Sequence, residues 1–268
     1  NKIDRLGIPS IKMSDGPNGV RGDGNSGKSS ACFPCAISIG SSWNINLINT
    51  LGKELAAEAK LKDVDVLLGP TINIHRHPLG GRHFECFSED PFLTGKIAIE
   101  YVKGVQSKNI AACLKHFVGN DTEFERYTIS SNIDEKTLRE IYLLPFEMAI
   151  KEANAKVVMS AYNKLNNIYC SSHQSLLIQI LKEEWGFNGY VVSDWGAALE
   201  TEENANGGLD LEMPGPGNVW GASLINSIKD GKVDEGLIDD KVKRILTVAN
   251  FSKRFERPGF KPEEAVDQ

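Results

Sequence analysis

Short apolar runs alternate with longer amphipathic stretches along the whole chain. Six of the runs are rich in Val, Ile and Leu and show little alternation of apolar and polar residues. Such runs are typical of strands that are buried on both faces of a parallel sheet. They predict strands at residues 8–14, 64–74, 110–118, 156–162, 189–193 and 209–213.

The stretches between the runs carry apolar residues at helical spacing. Asp134 and Ser172 are suited to cap the helices that follow them, because Asp and Ser accept hydrogen bonds from a helix N-terminus. Pro145 lies inside the first of these helices and predicts a kink there. A last helix is predicted near residues 238–252. In residues 43–62 one face carries apolar residues four apart, namely Leu47, Leu51, Leu55 and Ala59.

Strand and helix alternate in the rhythm of right-handed βαβ units, which build a parallel sheet. The length of 268 residues is close to the ~250 of a single (β/α)8 barrel. Since only six strands are predicted, we expect an α/β fold of the TIM-like barrel type that is irregular or incomplete. The alternative is an open doubly wound sheet, although neither a G-x-G-x-x-G nor a Walker A pattern is present.

Composition and charge argue against several classes of binding partner. The net charge is −6, whereas binding to nucleic acid requires a basic face. No apolar run approaches the ~18 residues of a membrane span. Cys32 and Cys35 have the spacing of a metal knuckle, and His75 and His77 share one side of a strand, but neither pair has further ligands. We therefore expect no nucleic acid, membrane, metal or cofactor as a partner.

Polar residues stand where the predicted strands end. Because the carboxyl ends of parallel strands meet at one face of a barrel, we expect these side chains to converge on one pocket. Each alone has an ordinary explanation, such as a turn cap or an ion pair, but their coincidence at successive strand ends favours a site. They are Asp15, Arg82, Lys115, His116, Tyr162, Asp194 and Trp195.

The pair Asp194–Trp195 is the strongest indication of chemistry. A carboxylate at a strand end beside an indole suits attack on the anomeric carbon of a sugar, with the sugar ring against the indole. The alternative is that Asp194 only caps the next helix. The surrounding Asp, Arg, Lys and His side chains suit the hydroxyl groups of a neutral polyol. A phosphate site would instead require Gly-rich amides at a helix N-terminus.

Six motifs in a single order resemble glycoside hydrolase family 3, in particular its β-glucosidases. The resemblance implies that residues 1–255 are the N-terminal (β/α)8-like domain and that residues 256–268 lead to a second domain. The Gly- and Ser-rich stretch at 21–30 predicts a flexible loop over the mouth of the barrel. The motifs are SDGPNGVRG (14–22), LGPTINIHRHPLGGRHFECFSEDP (68–91), KHFVGND (115–121), MSAYNKLNN (159–167), SDW (193–195) and GLDLEMPGP (208–216).

The resemblance implies retaining hydrolysis of terminal β-D-glucosyl residues, with Asp194 as the nucleophile that forms a covalent glycosyl-enzyme. An Arg near Asp194 would lower the pKa of this carboxyl group. The resemblance implies hydroxyl binding by Asp15, Arg82, Lys115 and His116, positions beside the nucleophile for Arg126 and Tyr162, and pocket-lining positions for Met159 and Trp195.

A retaining glycosidase also needs a second carboxyl group about 5.5 Å from the nucleophile. In the family this Glu usually comes from an α/β-sandwich domain after the barrel, and the sequence shows no counterpart. We therefore expect it in a second domain, with Glu123 or Glu125 as the weaker alternative. The expected substrate is a β-glucoside or a short β-glucan oligosaccharide. A non-catalytic sugar-binding barrel and a β-xylosidase stay open as alternatives.

Overall fold

A parallel sheet forms the centre of the structure, a computed structural model that describes residues 2–23, 27–217 and 219–266. Its strands pair in the order β1-β2-β3-β5-β8, and β8 also pairs with Leu211 through Val192. The strands of the described residues are, in chain order, β1 (Met13–Asp15), β2 (Val66–Leu68), β3 (Ala111–Phe117), β4 (Ser130–Ser131), β5 (Val157–Ser160), β6 (Lys164–Leu165), β7 (Ile168–Tyr169) and β8 (Tyr190–Ser193).

All six predicted strand regions contribute to this sheet, although the hydrogen-bonded parts are shorter than predicted. The sheet curls into a half-barrel. Within the described ranges no backbone ladder joins β1 to Leu211, and a cavity of about 550 Å³ lies against both, lined by residues that include Met13, Leu211 and Ile245. The expectation of an irregular or incomplete barrel is therefore confirmed, and a closed eight-stranded barrel is not what these residues form.

Helices surround the sheet, and α2 packs against α3, which packs in turn against α5. Helices α2 and α8 lie where the sequence predicts helices. In the part of the chain that the structure describes, no helix is both long enough and apolar enough to cross a membrane. The α-helices are α1 (Ala36–Ser41), α2 (Ile45–Leu61), α3 (Pro91–Gln106), α4 (Glu135–Thr137), α5 (Leu144–Ala153), α6 (Thr201–Gly207), α7 (Ala222–Lys229) and α8 (Glu235–Phe251), and π-helical turns span Leu138–Leu143 and Ser175–Glu184.

Of the three local predictions about helix geometry, one is confirmed, one is wrong and one stays a prediction. Asp134 Oδ1 accepts a hydrogen bond from Thr137 N at 3.0 Å, so this cap is confirmed. A π-helical segment ends at Leu143, and Pro145 lies in the first turn of the α-helix that follows. The kink at Pro145 stays a prediction. The cap at Ser172 is wrong. His173 Nδ1 accepts from Leu176 N at 3.3 Å instead.

The two faces of the sheet build two separate cores. Ala112, Leu114 and Val191 belong to the larger core under the helices. Cys113 and Val192 belong to a smaller core inside the half-barrel. Because side chains alternate along a strand, the next inward positions after Cys113 and Val192 are Lys115 and Asp194. Strand geometry thus places these two charged side chains at the open end of the interior core.

A small second sheet was not predicted. Strands β6 and β7 form an antiparallel hairpin, and β4 pairs in parallel with β6. Its turn consists of Asn166 and Asn167, with φ of 49° and 72°, and the Asn-Asn pair was the available signal for this turn. The sheet fixes the loop after β3, because Ser131 Oγ donates to the carbonyl oxygen of Gly119 at 2.7 Å.

Candidate active site

Three strand ends bring Asp15, Lys115 and Asp194 close together at the mouth of the half-barrel. Lys115 Nζ donates to Asp15 Oδ1 at 2.7 Å. Only 3% of the Lys115 surface and 7% of the Asp194 surface are exposed. Buried charges of this kind persist only when they are paired or when a ligand completes them.

Asp15 stays ionised in this setting. Burial alone would raise the pKa of its carboxyl group, but the Lys115 ammonium, the Gly16 backbone amide and Arg21 together outweigh burial and hold the pKa below its ordinary value. Arg21 adds to this effect, with Nη2 at 3.6 Å from Asp15 Oδ2. Sequence reasoning missed Arg21, although it stands in the same motif as Asp15. The two residues are also joined through the backbone, since Arg21 N donates to Asp15 O at 2.9 Å.

The two oxygens of the Asp194 carboxylate have different surroundings. Oδ1 accepts a hydrogen bond from Trp195 N at 2.7 Å. Oδ2 is buried and has no hydrogen-bond partner among the described residues, and His116 Nε2 lies 3.6 Å from it. Burial raises the pKa of Asp194, and the nearby Trp195 amide, the Tyr162 hydroxyl, Lys115 and Arg82 oppose this shift without cancelling it. Arg82 thus lowers the pKa of Asp194 as expected, but desolvation is the larger effect and the net shift is upward.

His116 is held in one orientation by a residue that sequence reasoning missed. Asn73 Oδ1 accepts from the His116 backbone N–H at 2.9 Å and lies 3.3 Å from Nδ1, while Asn73 Nδ2 donates to His116 O at 2.9 Å. Burial lowers the pKa of His116 well below its ordinary value, so the imidazole is neutral. A polar residue inside the apolar run at 64–74 was the available signal for Asn73.

Arg82 is clamped by a carboxylate next to His116. Its Nε and Nη2 donate to Glu85 Oε1 and Oε2 at 2.9 Å and 3.0 Å. Nη2 lies 3.5 Å from His116 Nε2, and Nη1 lies 4.0 Å from Glu123 Oε1. A bidentate clamp fixes the plane of the guanidinium. Arg82 therefore enters the pocket in a single orientation.

Arg126 reaches the pocket through Tyr162. Its guanidinium lies 4.7 Å from the centre of the Tyr162 ring, and its Nη1 donates to Glu123 Oε2 at 2.8 Å. Tyr162 OH donates to the carbonyl oxygen of Trp195 at 3.0 Å. Tyr162 thus contacts the residue that directly follows Asp194, and Arg126 packs behind Tyr162. A position of Arg126 beside the nucleophile stays a prediction.

Met159 and Trp195 differ in burial and lie in different surroundings. Met159 is 2% exposed and belongs to the interior core of the half-barrel. Trp195 is 39% exposed and lines the cavity of about 550 Å³. The sheet thus brings the predicted residues to one end of the half-barrel, with Arg126 one layer further out.

The described residues contain no group of three His, Cys, Asp or Glu side chains arranged to hold a metal ion. All five cysteines are free thiols, including Cys32 and Cys35. The pocket therefore offers carboxylates, cations, hydroxyl groups and one indole for contact with a ligand. Donors and acceptors at fixed positions around an apolar floor suit the hydroxyl groups and the ring faces of a sugar.

The sequence as a whole identifies the family. The model of the glycosyl hydrolase family 3 N-terminal domain matches residues 1–248. The chain belongs to glycosyl hydrolase family 3. A beta-glucosidase from Rhizobium radiobacter is 51% identical over 267 residues, which are 99% of this chain and 33% of that protein.

Solved structures of this family superpose closely on the chain. Beta-glucosidase from Kluyveromyces marxianus has a TM-score of 0.95 and 43% identity, and the match covers 99% of this chain and 32% of that one. Beta-glucosidase 3B from Thermotoga neapolitana, solved in complex with glucose, has a TM-score of 0.91 and 40% identity, with coverage of 98% and 39%. The chain therefore spans about a third of the length of the family 3 proteins that it matches.

Proposed function

We propose that this chain supplies the nucleophile and the glycone-binding pocket of a retaining β-glucosidase. The observation that carries the proposal is the carboxylate of Asp194, whose buried Oδ2 has no hydrogen-bond partner among the described residues. It lies beside His116 at 3.6 Å. An acceptor without a partner in a buried pocket is costly unless a ligand or a reacting atom meets it.

In the first step, an Asp194 oxygen attacks the anomeric carbon and the bond to the leaving-group oxygen breaks. The leaving group takes a proton from an acid, and the sugar is left as an ester on Asp194. In the second step, water attacks the anomeric carbon, gives its proton to the same group as base, and releases Asp194. Asp15, Lys115 and Arg82 bind the sugar hydroxyls throughout.

The raised pKa of Asp194 has a direct consequence for this reaction. The nucleophile must be ionised, so the rate falls as the pH falls through its pKa. Since burial raises this pKa above the ordinary 3.8 of Asp, we expect the acid limb of kcat/KM above that pH. An acid limb at or below it would show that burial does not raise the pKa of Asp194 in the active protein.

The acid and base is expected outside this chain. Glu123 is the carboxylate near the pocket that the sequence offered as a substitute, but its Oε2 is 2.8 Å from Arg126 Nη1 and its Oε1 is 4.0 Å from Arg82 Nη1. These two ion pairs hold the Glu123 carboxylate against Arg126 and Arg82, so we do not assign it as the acid. A Glu from a second domain is the better candidate.

The substrate that fits is a terminal β-glucosyl residue, in a β-glucoside or a short β-glucan oligosaccharide. Glucose in the structure of the Thermotoga neapolitana relative supports this choice. The pocket of this chain already supplies acceptors, in Asp15 and Asp194, and donors, in Lys115 and Arg82, for several hydroxyl groups.

The test uses the complete polypeptide with Asp194→Asn and, as a matched control, Asp230→Asn, since Asp230 is an exposed carboxylate beyond α7. We expect Asp194→Asn to lower kcat/KM for an aryl β-glucoside by about 10⁴-fold, as for a covalent nucleophile. We expect Asp230→Asn to leave it unchanged.

A trapping experiment assigns the reacting residue directly. An activated 2-deoxy-2-fluoro-β-glucoside should leave one fluoroglucosyl group on the peptide that contains Asp194, as seen by mass spectrometry. A label on another peptide, or unchanged hydrolysis by Asp194→Asn, would refute the proposal. Glucose binding with no hydrolysis and no label would favour the non-catalytic sugar-binding barrel.

A further inference from the structure

The segment after the last helix does not leave the barrel directly. Lys261 N donates to Asp63 Oδ2 at 2.9 Å, and Glu264 N donates to the carbonyl oxygen of Leu61 at 3.0 Å. These contacts follow the edge of the half-barrel from the loop before β2 towards the loop after β1. The segment ends its described course against the residues that follow Arg21.

Glu263 makes the main contact between this segment and the loop after β1. Its side chain is 6% exposed, and Lys12 Nζ lies 2.9 Å from Oε1. Lys28 N donates to Oε2 at 3.1 Å. Lys12 Nζ also lies 2.8 Å from Asp23 Oδ1. One carboxylate thus joins the start of β1 to the far end of the loop.

Gly22 shows that the loop is shaped around this carboxylate. Its φ is +71°, and a Cβ at this position would lie 2.5 Å from Glu263 Oε1. A side chain there would be strained and would also collide with Glu263. Gly22 N donates to Ser14 Oγ at 2.8 Å, which fixes the same turn from the strand side. The turn is therefore held from two sides.

Arg21 directly precedes this turn. Its side chain is 65% exposed, and its Nη2 lies 3.6 Å from Asp15 Oδ2. An exposed arginine loses much rotameric and backbone freedom when it is held against a ligand. A rigid attachment of the next residue reduces that cost.

We propose that Glu263 is a positioning residue for sugar binding, which holds Lys28 and the turn at Gly22 in place and thereby keeps Arg21 beside Asp15. The proposal rests on the proposed function only in that the mouth of the half-barrel binds the glycone. Glu263 does not touch the sugar. It acts through Arg21 and links the sugar pocket to the segment that follows the domain.

The test measures glucose binding to the complete polypeptide by titration calorimetry. Glu263→Gln keeps the shape but removes the charge and places an NH2 group towards either Lys12 Nζ or the Lys28 amide. We expect the Kd for glucose to rise about tenfold, as for one lost charge-assisted contact. The control Glu264→Gln makes the same charge change at the neighbouring exposed residue and should leave the Kd within about twofold.

A double-mutant cycle with Arg21→Met distinguishes positioning from a general structural role. If Glu263 acts through Arg21, the combined variant should bind glucose no more weakly than Arg21→Met alone, so the two effects are not additive. Additive effects, or equal Kd values for Glu263→Gln and Glu264→Gln, would overturn the inference. Failure of the proposed function would look different, because the unmodified protein would then neither bind glucose nor hydrolyse a glucoside.

Discussion

Both ends of the half-barrel bury charged side chains. Those at the base are paired, whereas some carboxylate oxygens at the mouth have no hydrogen-bond partner among the described residues. At the base, Arg254 is fully buried and its Nε lies 2.9 Å and 2.8 Å from the two oxygens of Asp65. Its Nη2 donates to Asp63 O at 2.7 Å, and Arg257 also pairs with Asp63. At the mouth, Asp194 and Asp121 keep buried oxygens with no partner among the described residues.

This difference distinguishes buried charged side chains that stabilise the fold from those that are available to bind a ligand. A buried ion network that satisfies its donors and acceptors costs little free energy once formed, but it is expensive to break. A buried acceptor without a partner costs free energy in the empty protein. In parallel barrels, the base serves stability and the mouth carries the chemistry.

The largest change in stability is expected when Arg254 is removed from the buried ion network at the base. Arg254→Met keeps most of the side-chain length but leaves the buried carboxylates of Asp63 and Asp65 without their main partner. We expect the free energy of unfolding to fall by about 3–5 kcal/mol, measured by urea denaturation. Sugar affinity of the protein that remains folded should not change.

Two variants sharpen this comparison. Arg139 also pairs with two carboxylates, Glu135 and Glu184, but it lies at the surface, so Arg139→Met should cost less than about 1 kcal/mol. Asp194→Asn at the mouth should cost no stability, because it removes a charge that burial disfavours. Comparable losses in Arg254→Met and Asp194→Asn would contradict the distinction between base and mouth.

The residues at the mouth could be predicted from the sequence because they follow apolar strand runs. The ion network at the base could not, because it joins segments that are far apart in the sequence. Apolar runs that end in Asp15, Lys115 and Asp194 place these residues at one face, because parallel strands share a direction. The ion network joins Asp65 to Arg254, 189 positions later, and no local pattern relates such residues. The clamp of Arg82 by Glu85 depends on a 3₁₀ turn at His83–Glu85, which the Gly-rich sequence before it did not indicate.

A pH-dependent effect is expected at Asp121, in the loop after β3. Burial raises the pKa of its carboxyl group to about 7, against the opposing charge of Arg76. Between pH of about 4 and 7 the unfolded chain has lost this proton while the native protein retains it. The free energy of unfolding should therefore fall as the pH rises through this window, by at most about 4 kcal/mol for about three pKa units.

Asp121→Asn should remove this slope. The variant and the unmodified protein should be similar near pH of about 4, and the variant should be the more stable of the two above about 7. Glu125→Gln is the control, since Glu125 is an exposed carboxylate in the same loop. It should keep the slope. A slope that survives Asp121→Asn would show that Asp121 ionises normally and that the mouth is less desolvated than the geometry indicates.

The smallest effect is expected from Asn73, and it tests whether sugar binding depends on residues that orient the side chains in contact with the sugar. Asn73→Ala removes the acceptor at 2.9 Å from the His116 backbone N–H and the donor to its carbonyl oxygen, and should cost about 1–2 kcal/mol of stability. Because His116 loses its fixed orientation, the KM for an aryl β-glucoside should also rise about tenfold. Asn49→Ala is the control, since Asn49 Nδ2 donates to Glu100 Oε2 at 3.0 Å between α2 and α3, far from the mouth. It should lose stability without a change in KM.

If both variants change stability alone, Asn73 belongs with Arg254 among the groups that only stabilise the fold, and the orientation of His116 is set by the strand itself.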